Sequence, residues 1–244
     1  MRMEISLVIG IALLTSVSGA QTAEELIAKN TEAKGGLEKI KAIRTLRASG
    51  RVEMGGMTAK VEKASMRPEM LRQTFTVQGM SQVDAYDGST GWKIDPFGGR
   101  KDPELMGEDD MRPIIENADF YGPLIDYKEK GNKVEYLGRD TLDGDDVYRL
   151  KVTLHNGDIV NYYLDPDTYL EIRVLRQMFI RGAVRETITD VGSYKLVNGV
   201  YYPFAIETSS RDGMGDPSKL TIEKMEANKG VSESDFHMPA AKKP

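Results

Sequence analysis

The side chains able to do acid–base or metal chemistry are few and scattered. Two histidines occur, His155 beside the Asn156-Gly157 turn and His237 near the C-terminus, and cysteine is absent. Neither histidine has a neighbour at metal-ligand spacing, and without thiolates the usual zinc sites have no ligand set. Asp140, Asp143, Asp145 and Asp146 form an acidic cluster. Their spacing departs from the fixed alternation of a calcium loop, and a solvated hairpin tip accounts for them. Gly88-Ser89-Thr90-Gly91 is a turn-like sequence and not a nucleophile elbow, and neither a phosphate loop nor a dinucleotide fingerprint is present. Aspartate and glutamate are plentiful, yet no pair is singled out for glycoside chemistry. The residue inventory therefore points to binding and not to catalysis, with no metal and no cofactor expected.

The elements that must position any site divide sharply along the chain. Arg2, an apolar run over residues 5–14 and the small residues Ser18-Gly19-Ala20 have the layout of a secretory signal peptide cleaved after Ala20. The run is too short to span a bilayer, which takes ~20 apolar residues. The remainder, residues 21–244, is expected to form a single exported domain, held by its core without disulfides. A net charge of −5 disfavours nucleic acid as a partner.

The mature chain opens with a helical pattern. Ala23, Leu26, Ile27, Ile40 and Ile43 recur at helical intervals, Thr22 with Glu25 resembles a capping box, and Gly35-Gly36 predicts a break. From Leu46 the period changes to two. Alternating runs separated by Gly55-Gly56, Asp87-Gly88, Asp143-Gly144, Asn156-Gly157, Asp165-Pro166 and Asn198-Gly199 predict about eleven strands joined by hairpins. The stretch 96–127 reads differently. It combines Gly, Pro and acidic residues with Met111, Ile114, Ile115, Phe120, Leu124 and Ile125, the mark of a loop with short helices acting as lid or plug. The fold class that follows is mainly β (α+β), an antiparallel meander curling into a full or partial barrel.

One constellation is specific. Arg67-Pro68 opens the third strand, and Asp87-Gly88-Ser89-Thr90-Gly91-Trp92-Lys93-Ile94-Asp95-Pro96-Phe97 follows. This block resembles LolA-type carriers, which move lipoproteins across the periplasm. Asp165-Pro166-Asp167-Thr168-Tyr169, Gly199-Val200-Tyr201-Tyr202-Pro203 and Phe236-His237-Met238-Pro239 are similar to later parts of the same superfamily, and Gly35 to Ile40 to its outer-membrane lipoprotein-sorting branch.

The resemblance implies an open, curved antiparallel sheet (an incomplete β-barrel) with helices covering its concave face and an apolar cavity between them. It implies a periplasmic carrier of acylated lipoprotein or other lipid, receiving cargo from an inner-membrane release complex and passing it to an outer-membrane acceptor. Each buried methylene is worth ~0.8 kcal/mol, so an acylated cargo needs such a cavity to cross water. Leu71, Phe75, Trp92, Phe97, Ile114, Ile115 and Phe120 are the expected cavity residues, and Arg67 the expected latch onto lid carbonyls. Near Gln73 the family has an aromatic residue, a departure that leaves the cargo open. The acceptor role is disfavoured because acceptors of this family are lipoproteins and the chain has no cysteine to carry a lipid. A monomer is expected. The alternative is a sensor of the same fold that reads lipid or lipoprotein and signals to a protein partner.

Overall fold

The computed structural model describes residues 21–240 apart from 181 and 214. The expected signal peptide, residues 1–20 with its cleavage after Ala20, lies outside the described residues.

Helix α1 (Ala23–Ala33) starts as its sequence predicts. The Thr22 hydroxyl accepts from the Glu25 amide at 3.2 Å, and the Glu25 carboxylate accepts from the Thr22 amide at 3.1 Å. Gly35 ends this segment at φ +124°, where a Cβ would lie 2.2 Å from the Gly199 carbonyl oxygen. Only glycine fits there. A short second helix, α2 (Leu37–Ala42), leads into the sheet.

Strands β1 (Thr45–Met54), β2 (Met57–Met66), β3 (Met70–Val77), β4 (Met80–Tyr86), β5 (Gly91–Asp95) and β6 (Arg100–Leu105) form one antiparallel meander. After helix α3 (Glu108–Ala118), a second meander comprises β7 (Lys133–Leu142), β8 (Asp145–Thr153), β9 (Ile159–Leu164), β10 (Glu171–Ile180) and β11 (Ala183–Gly192). A small separate hairpin pairs β12 (Lys195–Val197) with β13 (Val200–Tyr202). The last strands, β14 (Ala205–Ser210) and β15 (Ser218–Ala227), join the two meanders, because β15 pairs with both β14 and β1 and β14 pairs with β11. The result is one open, curved antiparallel sheet of thirteen strands with β6 and β7 at its edges.

The strand number differs from the eleven or so expected, and the reasons are local. Strand β6 carries Arg100, Lys101, Asp102 and Pro103, a charged, proline-bearing sequence without alternation. Such residues suit an edge because they discourage further pairing. The stretch 200–210 is divided at Pro203, which cannot donate to a ladder, so β13 and β14 belong to different sheets.

Alternation gives the sheet two distinct faces. On the concave face Leu71, Tyr86 and Met106 meet Ile114 and Ala118 of α3. Leu26 and Ile27 of α1 pack there against Leu150, Val160 and Leu164. Ile40 of α2 packs with Ile43, Leu46, Tyr121 and Ile125. On the opposite face Val83, Ala85 and Trp92 form a separate cluster, and the C-terminal segment around Phe236 lies over it: the Trp92 indole N–H donates to the Phe236 carbonyl at 2.7 Å. Among the described residues no helix is long and apolar enough to cross a membrane.

Candidate functional site

Helix α3 organises the concave face through three i,i+4 pairs that project in different directions. Ile114 and Ala118 are buried onto β3 and β4. Arg112 and Glu116 reach the opposite wall, where Arg112 meets Asp158 at 2.7 Å and Glu116 meets Arg176 Nε at 3.2 Å. Pro113 and Asn117 face the space between the walls. The start of the helix is tied as well, with Lys93 of β5 3.2 Å from Asp110. Glu108, Asp109 and Asp110 in the first turn suit the positive end of the helix dipole. Pro113 cannot donate to the carbonyl one turn back, so the ladder is interrupted just above the cavity.

Beneath α3 lies a cavity of about 580 Å³, within the range of known small-molecule sites. Its apolar wall draws on Val61, Phe75, Val174, Met178, Leu220 and Ile222, from both meanders and the central β15. Neutral polar groups, among them Gln73, Asn117, Thr187 and Thr189, are interspersed, and Lys63 and Arg176 are its charged members. Arg176 also borders a second cavity of about 440 Å³ on the far side of α3, lined by Ile115, Glu116 and His155 among others. The Arg176–Glu116 pair therefore stands between the two spaces.

The electrostatics follow from burial. The Glu116 carboxyl, 9% exposed, is pushed up to about 7 by loss of water, an effect that Arg176 only partly offsets. Lys63 is pushed down to about 8, first by burial and then by the charge of Arg176. At the α1 end, burial would raise Glu171, but the Lys34 charge at 3.0 Å and hydrogen bonds from Lys34 and Tyr194 hold it below the ordinary carboxylate value.

The residues singled out from sequence fall into different places. Phe75 lines the cavity. Leu71 and Ile114 stand on the same face but are consumed in the α3–sheet core. Ile115 packs at the edge of that core and borders the second cavity. Phe120 meets Tyr121 edge-on beside the α2 cluster. Phe97 is exposed in the turn after β5. Trp92 lies on the opposite face of the sheet from the cavity, because its register partners Ala85 and Arg72 alternate away from Tyr86 and Leu71. The Arg67 guanidinium lies 4.1 Å over the Tyr121 ring, a face-on cation–π contact. Tyr121 in turn donates to the Ile43 carbonyl at 2.6 Å. Lys63, Arg112, Glu116 and Arg176 escaped the sequence reading, since each resembles an ordinary polar residue of a strand or helix.

Against solved structures, this architecture finds close matches. A LolA superfamily protein from Nitrosomonas europaea superposes with a TM-score of 0.60 at 14% identity, over 89% of this chain and 98% of its own. The chain has the LolA-type fold. A domain assigned to outer membrane lipoprotein sorting, from Vibrio parahaemolyticus, gives a TM-score of 0.55 at 14% identity, covering 86% of this chain and 97% of its own. A DUF1329 family protein from Desulfovibrio piger gives 0.59 at 13% identity, covering 88% and 97%. No family model matches the sequence. No curated protein matches it either.

Proposed function

We propose that the protein is a periplasmic carrier that shelters acyl chains, from lipoproteins or other lipids, in the cavity beneath α3. The observation that carries this reading is the cavity itself: about 580 Å³, walled largely by apolar side chains, on the concave face of a LolA-type sheet. Burial of acyl methylenes supplies the affinity, and the strap of α3 supplies the means of release. Arg67, stacked on the segment that follows α3, holds the exit of that strap in place. Cargo arrives from an inner-membrane complex and leaves to an outer-membrane acceptor; no catalytic step is needed.

The test is native mass spectrometry of the mature protein recovered from its own periplasm, followed by lipid extraction. A co-purifying acylated molecule, lost in Phe75→Asp, is the expected result. A clean apo mass that takes up no acylated peptide and no fatty acid would remove the carrier reading in favour of a protein-binding sensor.

A further inference from the structure

The cavity wall carries information about the head group of its ligand as well as its tail, an inference that rests on the acyl-binding reading above. Among the described residues both charged side chains of the wall are cations, Lys63 and Arg176, and no carboxylate lines it. Lys63 sits between Ala48 and Gln73 in the ladder of β1, β2 and β3, so its side chain enters from one wall. Arg176 pairs with Val160 and Thr187 in β10 and enters from the other. The two are close enough for the charge of Arg176 to depress the Lys63 ammonium.

Neither cation is well satisfied. Among the described residues Lys63 has no hydrogen-bond or ion-pair partner. Arg176 has Glu116 at 3.2 Å, but its Nε and both Glu116 oxygens make no aligned hydrogen bond. Lys63 is half-buried, and a charge drawn partly out of water without a partner is costly, the more so beside apolar walls. A fold that needed only to hold hydrocarbon would gain from methionine or leucine at position 63. Two under-satisfied cations converging on an apolar cavity are instead the arrangement that receives an acid on a hydrocarbon chain.

We propose that the ligand is an amphiphile with an acidic head group, a carboxylate or a phosphate, seated between Lys63 and Arg176, its chain running along Val61, Phe75 and Leu220. Glu116 is the resident counter-ion of Arg176 and is relieved of that role when the acid binds. Gln73, beside Lys63 in the ladder, supplies a neutral donor to the same head group.

The test compares ligands of one chain length on the intact mature protein by isothermal titration: oleic acid, oleoyl lysophosphatidic acid, methyl oleate and inorganic phosphate. A charge-assisted contact predicts that at least one acid binds about tenfold or more tighter than the ester. Lys63→Met abolishes that preference by weakening the acids more than the ester, and Lys63→Arg keeps it. Near-ultraviolet circular dichroism of Trp92 confirms that both variants are folded. Tighter binding of oleic acid assigns a carboxylate ligand, and tighter binding of the lysophosphatidic acid a phospholipid-like one. Equal affinity for acids and ester, or a preference that survives Lys63→Met, overturns the proposal while the carrier reading stands. Inorganic phosphate binding as tightly as the lysophosphatidic acid overturns it too, by removing the chain from the site. Failure of all the acyl ligands removes the carrier reading and this inference together.

Discussion

Arg176 of β10 and Glu116 of α3 meet at 3.2 Å, joining the sheet to the helix that crosses it. A second contact, Arg112 to Asp158 at 2.7 Å, lies one helical turn away. The strap over the cavity is thus held on the β3–β5 side by apolar packing and the Lys93–Asp110 pair, and on the other side by these two contacts. Such a hinge-and-clasp arrangement can open on the latter side without dismantling the Ile114–Leu71 core.

The clasp gives the first prediction. Arg112→Ala leaves the Asp158 carboxylate, 4% exposed, without its cation. The loss should be about 1–3 kcal/mol, less than for a fully buried pair because Asp158 keeps other donors. Those donors are the Asn156 side chain and the Phe179 amide. Urea unfolding measures the cost, and hydrogen exchange should quicken in α3 well before the sheet. Exchange in α3 at the wild-type rate would mean that the clasp does not hold it.

Titration supplies the second. Glu116, pushed up to about 7 from an ordinary 4.5, binds its proton more tightly in the native state than in the unfolded one. Stability therefore falls as pH rises between about 4.5 and about 7 through this group. Glu116→Gln should flatten that part of the profile and gain stability relative to wild type above it. Lys63, pushed down to about 8 from 10.5, acts in a separate window. There the unfolded state holds the proton more tightly, so stability rises with pH between about 8 and 10.5, and Lys63→Met should remove that rise. Melting curves across both windows, superimposable for wild type and variants, would contradict the assignments.

The two faces of the sheet can be separated by mutation. Trp92 is buried on the face away from the cavity, with its N–H on the Phe236 carbonyl. Trp92→Ala should cost about 3–5 kcal/mol yet leave acyl uptake by the folded protein unchanged. Phe75→Asp, on the cavity wall, should weaken uptake with a smaller effect on stability. The reverse pattern in paired binding and unfolding assays would mean that ligand lies on the outer face.

A fourth prediction concerns the anchor of α1. Glu171 is buried and holds both Lys34 and the Tyr194 hydroxyl. Glu171→Ala should cost about 3 kcal/mol, the lower end for a buried pair since Lys34 is 20% exposed. Because the folded carboxyl lies below its ordinary value, the wild-type advantage should persist at neutral pH and fade as pH falls through that value. An advantage independent of pH would assign the residue a packing role alone.

Much of this architecture was legible from local chemistry. The Thr22–Glu25 capping box, the break at Gly35 and the Asp-Gly and Asn-Gly hairpins are short-range devices whose residues fix backbone geometry directly. The side of the sheet taken by Trp92 was not legible, because parity depends on where each strand begins and one residue inverts it. Strand β6 was hidden by its edge chemistry. Lys63 and Arg176 were hidden for another reason: each sits in an ordinary alternating strand, and only the curvature of the sheet brings them to one cavity.

The most direct test of acyl binding beneath α3 is photocrosslinking with an acylated peptide bearing a diazirine near the chain terminus, followed by peptide mapping. The account predicts label on β2, β3, β10 and β15 at cavity-facing positions such as Val61, Phe75, Met178 and Leu220. Label confined to the outer face around Trp92 and Phe236, or no label above that of an unacylated peptide, would contradict it.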